Sequence, residues 1–256
     1  MGRSAAHGTV SRHELGQLAP STAQRIYSAG ASVLYLLDTP RRDGFNVRLK
    51  ATLDELDEQE HLQFLQIGAY DGVHDDPIRH YFRNGLHWRG LQVEPQPAAA
   101  KQLEVLYGDR PDIHLRRSAV CSEVGTTALW IPNHAGHFAM NPLASTYLDK
   151  AQKGTNRLRG PKAKNDPGYR SQPVDTISVD DLLFEHQIEA LDLLVTDTQG
   201  DDDYIVNGVL DKMLPQVILY EHNLMGGSVK RRLWKRLGEF GYKLTRSHKD
   251  TLAVVQ

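Results

Sequence analysis

From Leu62 onward, apolar runs of strand length alternate with amphipathic stretches of helix length. Strands buried on both faces are apolar throughout, and the helices that cover them are apolar on one side, so this alternation predicts a parallel sheet joined by right-handed crossovers. A first strand at Phe64–Ile67 runs into a glycine loop. Further strands are expected at Leu91–Val93, Ile113–Leu115, Val174–Val179, Leu191–Thr196, Val217–Tyr220 and Leu252–Val255, with an added strand at Thr127–Ile131. Between them, helices are expected over Ala98–Tyr107, Asp180–His186, Asp203–Met213 and Val229–Phe240. The first crossover helix is punctuated by Asp76 as cap, Pro77 as first residue and Gly85 as stop, and buries Ile78, Tyr81 and Phe82.

The pattern differs before Leu62. Residues 1 to about 12 are small and polar and read as a tail, while His13–Leu37 and Val47–Leu56 have helical spacing, the latter placing Leu49, Leu53 and Leu56 on one face. Residues 1–60 are thus expected to form a tail and helical appendage, and 61–256 an α/β domain. Residues 133–172 carry almost no regular pattern, and an irregular stretch of that length inside a domain reads as a lid-like insertion.

Composition narrows the function classes. The 30 basic and 32 acidic side chains give a formal charge of −2, which supplies no field for a polyanion, so nucleic acid is disfavoured as partner. With one cysteine, Cys121, no internal disulfide is possible, which fits a reducing cytoplasm. Ala31–Leu37 is too short an apolar run to span a bilayer, and residues 1–10 lack the pattern of a signal peptide.

Candidate chemistry gathers at the predicted carboxyl ends of the strands, where open α/β sheets bind ligands. Gly68 and Gly72 follow the first strand, and Glu94 ends the second; a glycine turn with a following acid suits a nucleoside, whose ribose hydroxyls need acceptors. The GxxxG spacing is not the GxGxxG that grips a pyrophosphate, which favours S-adenosylmethionine over a dinucleotide. Two other strand ends are polar, Asp197-Thr198-Gln199-Gly200 and Glu221-His222-Asn223. Asp197 is either a helix cap or a functional carboxylate, and Glu221 and His222, adjacent on an extended strand, point to opposite faces, so only one of them faces the site. His134 and His137 have no carboxylate near in sequence and predict no metal site. Lys153, Arg157, Arg159, Lys162, Lys164 and Arg170, with Asp166 the lone acid among them, make the insertion basic: a solvated loop, or a clamp for an anionic acceptor.

With these residues in view, the chain from about Phe64 to Val255 resembles the FkbM-type S-adenosylmethionine-dependent methyltransferases. The resemblance rests on Ile67-Gly68-Ala69-Tyr70-Asp71-Gly72, Val93-Glu94-Pro95, Asp197-Thr198-Gln199-Gly200, Tyr220-Glu221-His222, Gly241-Tyr242 and Asp250-Thr251-Leu252-Ala253-Val254, in that order. It implies a Rossmann-like class I methyltransferase fold, a mostly parallel seven-stranded sheet with helices on both faces and an antiparallel C-terminal strand. It also implies S-adenosylmethionine as cofactor and methylation of hydroxyls on glycans or small natural products. Candidate cofactor contacts are Gln66, Gly68, Ala69, Tyr70, Asp71, Gly72, Glu94, Pro95, Ser118 and Ala119; candidate catalytic residues are Asp197, His222 and Glu221.

The chain departs from the family pattern at four positions. Gln66 stands for a common acid, Tyr70 for a frequent asparagine, Val195 for a lysine and Gln199 for a glutamate, and Gln199 cannot act as a base. Two other readings compete at this stage: a Rossmann-type NAD(P)-dependent oxidoreductase, and a non-catalytic domain that keeps the fold as a binding module.

Overall fold

The computed structural model describes residues 44–84, 87–133, 141–159 and 168–255. The expected helix at His13–Leu37, Gly85 and the side chain of Phe82 lie outside them. So do His134, His137, Lys162, Lys164, Asp166 and the side chains of Arg157 and Arg159.

The alternating pattern becomes a seven-stranded sheet. In chain order its strands are β1 (Leu62–Ile67), β2 (Trp88–Val93), β3 (Ile113–Arg116), β7 (Leu193–Thr196), β8 (Val217–Glu221), β9 (Tyr242–Arg246) and β10 (Asp250–Val255), arranged β3-β2-β1-β7-β8-β10-β9. The β1–β2, β2–β3, β1–β7 and β7–β8 pairings are parallel. β10 is antiparallel to both neighbours, β8 and β9. The chain reverses direction across the sheet between β1 and β7, so their carboxyl ends form the crevice where ligands of open α/β sheets bind.

Apolar residues on alternate positions bury the sheet from both sides. On one face Leu65, Leu91, Leu194 and Ile218 pack against α5 (Val179–Glu185), α6 (Asp202–Leu210) and α7 (Gly227–Glu239) through Leu182, Ile205, Val206, Leu233 and Leu237. On the other, Phe64, Leu193, Leu219 and Leu252 meet α1 (Gly44–Asp57) and α3 (Pro97–Tyr107) through Phe45, Leu53, Leu56, Leu103 and Tyr107. The helix assigned from sequence to an appendage therefore contributes to the same core as β1. Its end is pinned by the Trp88 indole, which donates to Asp57 Oδ1 at 2.6 Å and stacks on Tyr81 at 5.4 Å.

The first crossover helix is shorter than expected, α2 at Arg79–Asn84. Asp76 still serves its amino end, accepting from the amides of Ile78 and Arg79 at 3.0 and 3.1 Å. Between β3 and α5 lies a second, three-stranded sheet of order β4-β6-β5, formed by β4 (Ala119–Val120), β5 (Gly125–Pro132) and β6 (Tyr169–Ile177). The stretch read as irregular is thus partly regular: β6 begins five residues before Val174, and α4 (Leu148–Arg159) lies within it. Antiparallel pairing with β5 carries the polar half of β6, and α4 lies between these two strands in the chain. No helix among the described residues is long and apolar enough to cross a membrane.

Candidate functional site

Two backbone approaches build the crevice. Gly68, at φ +81°, lies so close to the end of β7 that a Cβ there would stand 2.0 Å from the Asp197 carbonyl oxygen. At Gly72, φ +66°, a Cβ would stand 2.7 Å from Leu103 of α3. Gly68 is therefore demanded by the backbone of the neighbouring strand, and Gly72 chiefly by its left-handed conformation. Tyr70, Asp75 and Gln199 also hold positive φ angles of 50°, 52° and 57° at this edge. Such strain in residues other than glycine persists only where surroundings over-determine it, and it concentrates at functional sites.

On the β1–β2 side the loop is tied to the acid that ends β2. The amide of Tyr70 donates to Glu94 Oε2 at 2.9 Å, and the amide of Gln96, the first available after Pro95, donates to Oε1 at 2.8 Å. Burial pushes the Glu94 carboxyl up to about 7, against these two bonds, with the Asp71 charge adding to the rise. Each oxygen accepts one amide here and keeps a lone pair for a further donor. Asp71 is spent within the loop, bonding the amides of Val73 and His74 and the His74 ring. Ala69 points into the core. Gln66 is buried, accepting from Gln92 at 2.8 Å and donating to Asp76 at 3.2 Å. Beyond β3, Ser118 is 1 % exposed and its Oγ has no hydrogen-bond partner, while Ala119 belongs to β4 and packs in the small sheet.

A nucleoside fits these groups: the ionised Glu94 offers acceptors for ribose hydroxyls, and the unpartnered Ser118 Oγ offers a buried donor and acceptor at a neighbouring strand end.

On the β7–β8 side, Asp197, Gln199 and Glu221 form one unit. Gln199 Nε2 donates to Asp197 Oδ1 at 2.6 Å and to Glu221 Oε2 at 2.9 Å. Lys249, on the turn between β9 and β10, reaches Asp197 Oδ2 at 3.2 Å. Glu221 is 3 % exposed, and burial, then the Asp197 and Asp202 charges, push its carboxyl well above the usual carboxylate range. Asp202 caps the loop from beneath, bonding Thr196 and Thr198. Asp197 is the open member, its carboxylate 38 % exposed.

His222 stands apart from this unit. Its Nδ1 meets Thr251 Oγ1 at 2.9 Å, its ring lies edge-on to Trp234 at 5.7 Å, and burial, with Lys230 and Arg246 nearby, lowers it to about 4. The opposite-face expectation for two adjacent strand residues is thus realised, with Glu221 on the Asp197 side.

The insertion covers the same edge. Gln96 and Asn141 exchange two hydrogen bonds, Gln96 Nε2 to the Asn141 carbonyl at 3.0 Å and the Asn141 amide to Gln96 Oε1 at 2.9 Å. Farther along, Thr146 and Tyr147 both donate to Asp201 at 2.9 Å, Ser145 Oγ donates to the Gln199 carbonyl at 2.8 Å, and Lys150 Nζ to the Gly200 carbonyl at 2.6 Å. One segment thus bonds loops after both β2 and β7. Sequence reasoning missed Lys249, Gln96, Asn141 and Asp201; for Lys249 the only local signal is a Ser-His-Lys-Asp turn before the last strand.

Comparison with known proteins places this edge in context. A fibrillarin from Aeropyrum pernix in complex with natively bound S-adenosyl-L-methionine is 13 % identical, covering 80 % of this chain and 74 % of its own, with a TM-score of 0.38. A precorrin-6y C5,15-methyltransferase from Geobacter metallireducens is 11 % identical, covering 80 % and 85 %, with a TM-score of 0.40. A search of curated proteins finds no match. The family model described as the methyltransferase FkbM domain matches residues 66–244, a span that runs from Gln66 through the glycine loop, Glu94, Asp197 and Glu221 into β9. The chain belongs to the FkbM methyltransferase family and is an S-adenosylmethionine-dependent methyltransferase.

Proposed function

We propose that the protein transfers the methyl group to a hydroxyl of a glycan or small natural product, with Asp197 as the group that accepts the hydroxyl proton. The observation that carries this reading is the Asp197 carboxylate: partly exposed, braced on one oxygen by Gln199 and on the other by Lys249, with its backbone carbonyl packed against Gly68 of the loop after β1. S-adenosylmethionine, when bound, supplies a methyl already activated on a sulfonium. What the protein must add is position and a destination for one proton. Asp197 closes that balance by taking the proton that the acceptor oxygen loses as it becomes an ether. Glu221 and His222 are both buried, whereas the Asp197 side chain is partly exposed, which favours Asp197 for the role.

For the cofactor, the reading places the ribose on Glu94 and the base near Ser118, with Tyr70 and Pro95 flanking and Gln66, Ala69, Asp71 and Ala119 acting through the backbone they support. The insertion is read as the acceptor-selecting cover. The basic side chains of its sequence, Lys153, Arg157, Arg159, Lys162, Lys164 and Arg170, favour an acceptor bearing phosphate or carboxylate.

The deciding experiment incubates cell extract with methyl-labelled S-adenosylmethionine and identifies products by mass spectrometry. Label in a methyl ether of an anionic glycan or small molecule supports the reading; label on nitrogen or carbon, or transfer undiminished by D197N, overturns it. Charge reversal at Arg157, Arg159 and Lys162 is expected to raise KM for the acceptor and leave cofactor affinity nearly unchanged.

A further inference from the structure

The carboxyl ends of β7, β8 and the start of β10 hold more acid than an isolated base requires. Asp197 is faced by Glu221 from β8, Asp202 from α6 and Asp250 from β10, and each of these three is raised by burial and by the Asp197 charge. A proton acceptor set among buried acids is aimed by the partners its oxygens meet. Against these acids stands the Lys249 ammonium, which lowers Glu221 and Asp250 and makes its direct contact with Asp197. Desolvation works against the ammonium, but Asp197, Asp250 and Glu221 outweigh it, so Lys249 remains charged.

The turn that carries Lys249 is built to aim it. Ser247 Oγ accepts from the amides of Lys249 at 3.0 Å and Asp250 at 2.7 Å, and the Ser247 amide donates to the Asp250 carbonyl at 2.8 Å. The Lys249 carbonyl in turn accepts from the His222 amide at 2.9 Å, locking the turn to the end of β8. With its backbone held on both sides, the side chain spans to a residue 52 positions earlier in the chain. Neither the Ser247 bonds nor the His222 bond would be needed to place a solvated surface lysine.

We propose that Lys249 is a positioning residue of the methyl-transfer site, delivered by the β9–β10 turn to hold the Asp197 carboxylate aimed within a cluster of acids. It touches no reacting atom; it acts through Asp197. The proposal rests on the reading of Asp197 as proton acceptor, and its test is independent of the acceptor's identity.

The full-length protein is incubated with methyl-labelled S-adenosylmethionine and cell extract, and rates of label transfer at saturating cofactor are compared for the wild type, K249M and K249R beside calorimetric affinity for S-adenosylhomocysteine. In K249M the rate is expected to fall about tenfold or more while cofactor affinity stays nearly unchanged, and K249R is expected to restore it. Should K249M fail to fold, K249Q removes the same charge with a polar side chain and takes its place. A rate unchanged in a folded, charge-neutral variant overturns the proposal, as does failure of K249R to restore it. The proton-acceptor reading fails separately, by undiminished methyl transfer in D197N.

Discussion

Gly68 and Asp197 meet backbone to backbone: the space a Cβ would take at Gly68 is filled by the Asp197 carbonyl, 2.0 Å from where that carbon would lie. G68A combines this clash with an unfavourable φ and has no flexible side chain to push aside. It is expected to cost about 3 kcal/mol or more of stability and to uncouple the cofactor loop from Asp197. Urea denaturation beside calorimetric titration with S-adenosylhomocysteine checks both.

Glu94 sits near 7 in the free protein, and ribose hydroxyls donate to a carboxylate better than to its acid. Cofactor binding is therefore expected to release a proton, and affinity for S-adenosylhomocysteine to rise from pH 6 to pH 8. E94Q should weaken binding by roughly tenfold or more, consistent with loss of a charge-assisted bond, and abolish the pH dependence. Calorimetry at the two pH values is the measurement.

The buried acids also set the sign of pH-dependent stability. Glu94 is raised from 4.5 to about 7, and Asp76 and Asp202 from 3.8 to about 6, so the folded chain binds more protons than the unfolded one in those windows. Stability contributed by their protonated forms is present below about pH 4 and is lost as pH rises toward 7, by up to about 1.4 kcal/mol per pH unit for each group. His222 acts in the opposite sense, lowered from 6.5 to about 4, and adds stability as pH rises through that interval. H222Q is expected to remove that opposing contribution and cost about 1 to 3 kcal/mol, with turnover retained, whereas D197N should fold normally and lose turnover by about 10²- to 10⁴-fold. Paired denaturation and activity curves separate the two residues.

Gln199 supplies one amide nitrogen to two acids. Q199E replaces that donor with a third carboxyl between Asp197 and Glu221, so it is expected to destabilise by about 1 to 3 kcal/mol at pH 8 and less at pH 6, where a protonated glutamate can donate. Denaturation at both pH values tests this, and equal losses would show that charge is not the cause.

Strands buried on both faces were legible because an unbroken apolar run has few other uses; β1, β2, β7 and β8 follow the pattern closely. β9 was not: Tyr-Lys-Leu-Thr-Arg at a sheet edge is buried mainly through Tyr242, and so reads like a loop. α4 was hidden by Gly154, Thr155 and its basic residues, which leave it little apolar face, and the polar half of β6 by Pro173 and its exposed neighbours. Glu94 and Asp197 could be chosen from sequence because they end strands. Lys249 could not, since its meeting with Asp197 depends on β10 entering between β8 and β9. The missing lysine at Val195 gave no hint of a cation arriving from elsewhere.

Asp201 accepts from both Thr146 and Tyr147 and holds the insertion on the β7 loop. D201A is expected to expose the amides of residues 145–151 to faster hydrogen exchange while those of β7 stay protected, and to raise KM for the acceptor more than it changes cofactor affinity. Exchange followed by mass spectrometry reads the first effect directly.

The order of the sheet ties catalytic competence to one late event. The β8–β10 pairing joins neighbouring parts of the chain, Asp250 with Glu221, whereas the β1–β7 pairing joins Phe64 with Leu193. Contacts of long sequence separation form slowly, so the half of the sheet that carries the Lys249 turn can assemble before it meets the half that carries the glycine loop. Recovery of methyl transfer during refolding should therefore follow the joining of β1 to β7, making turnover a clock for the closing of the sheet's centre.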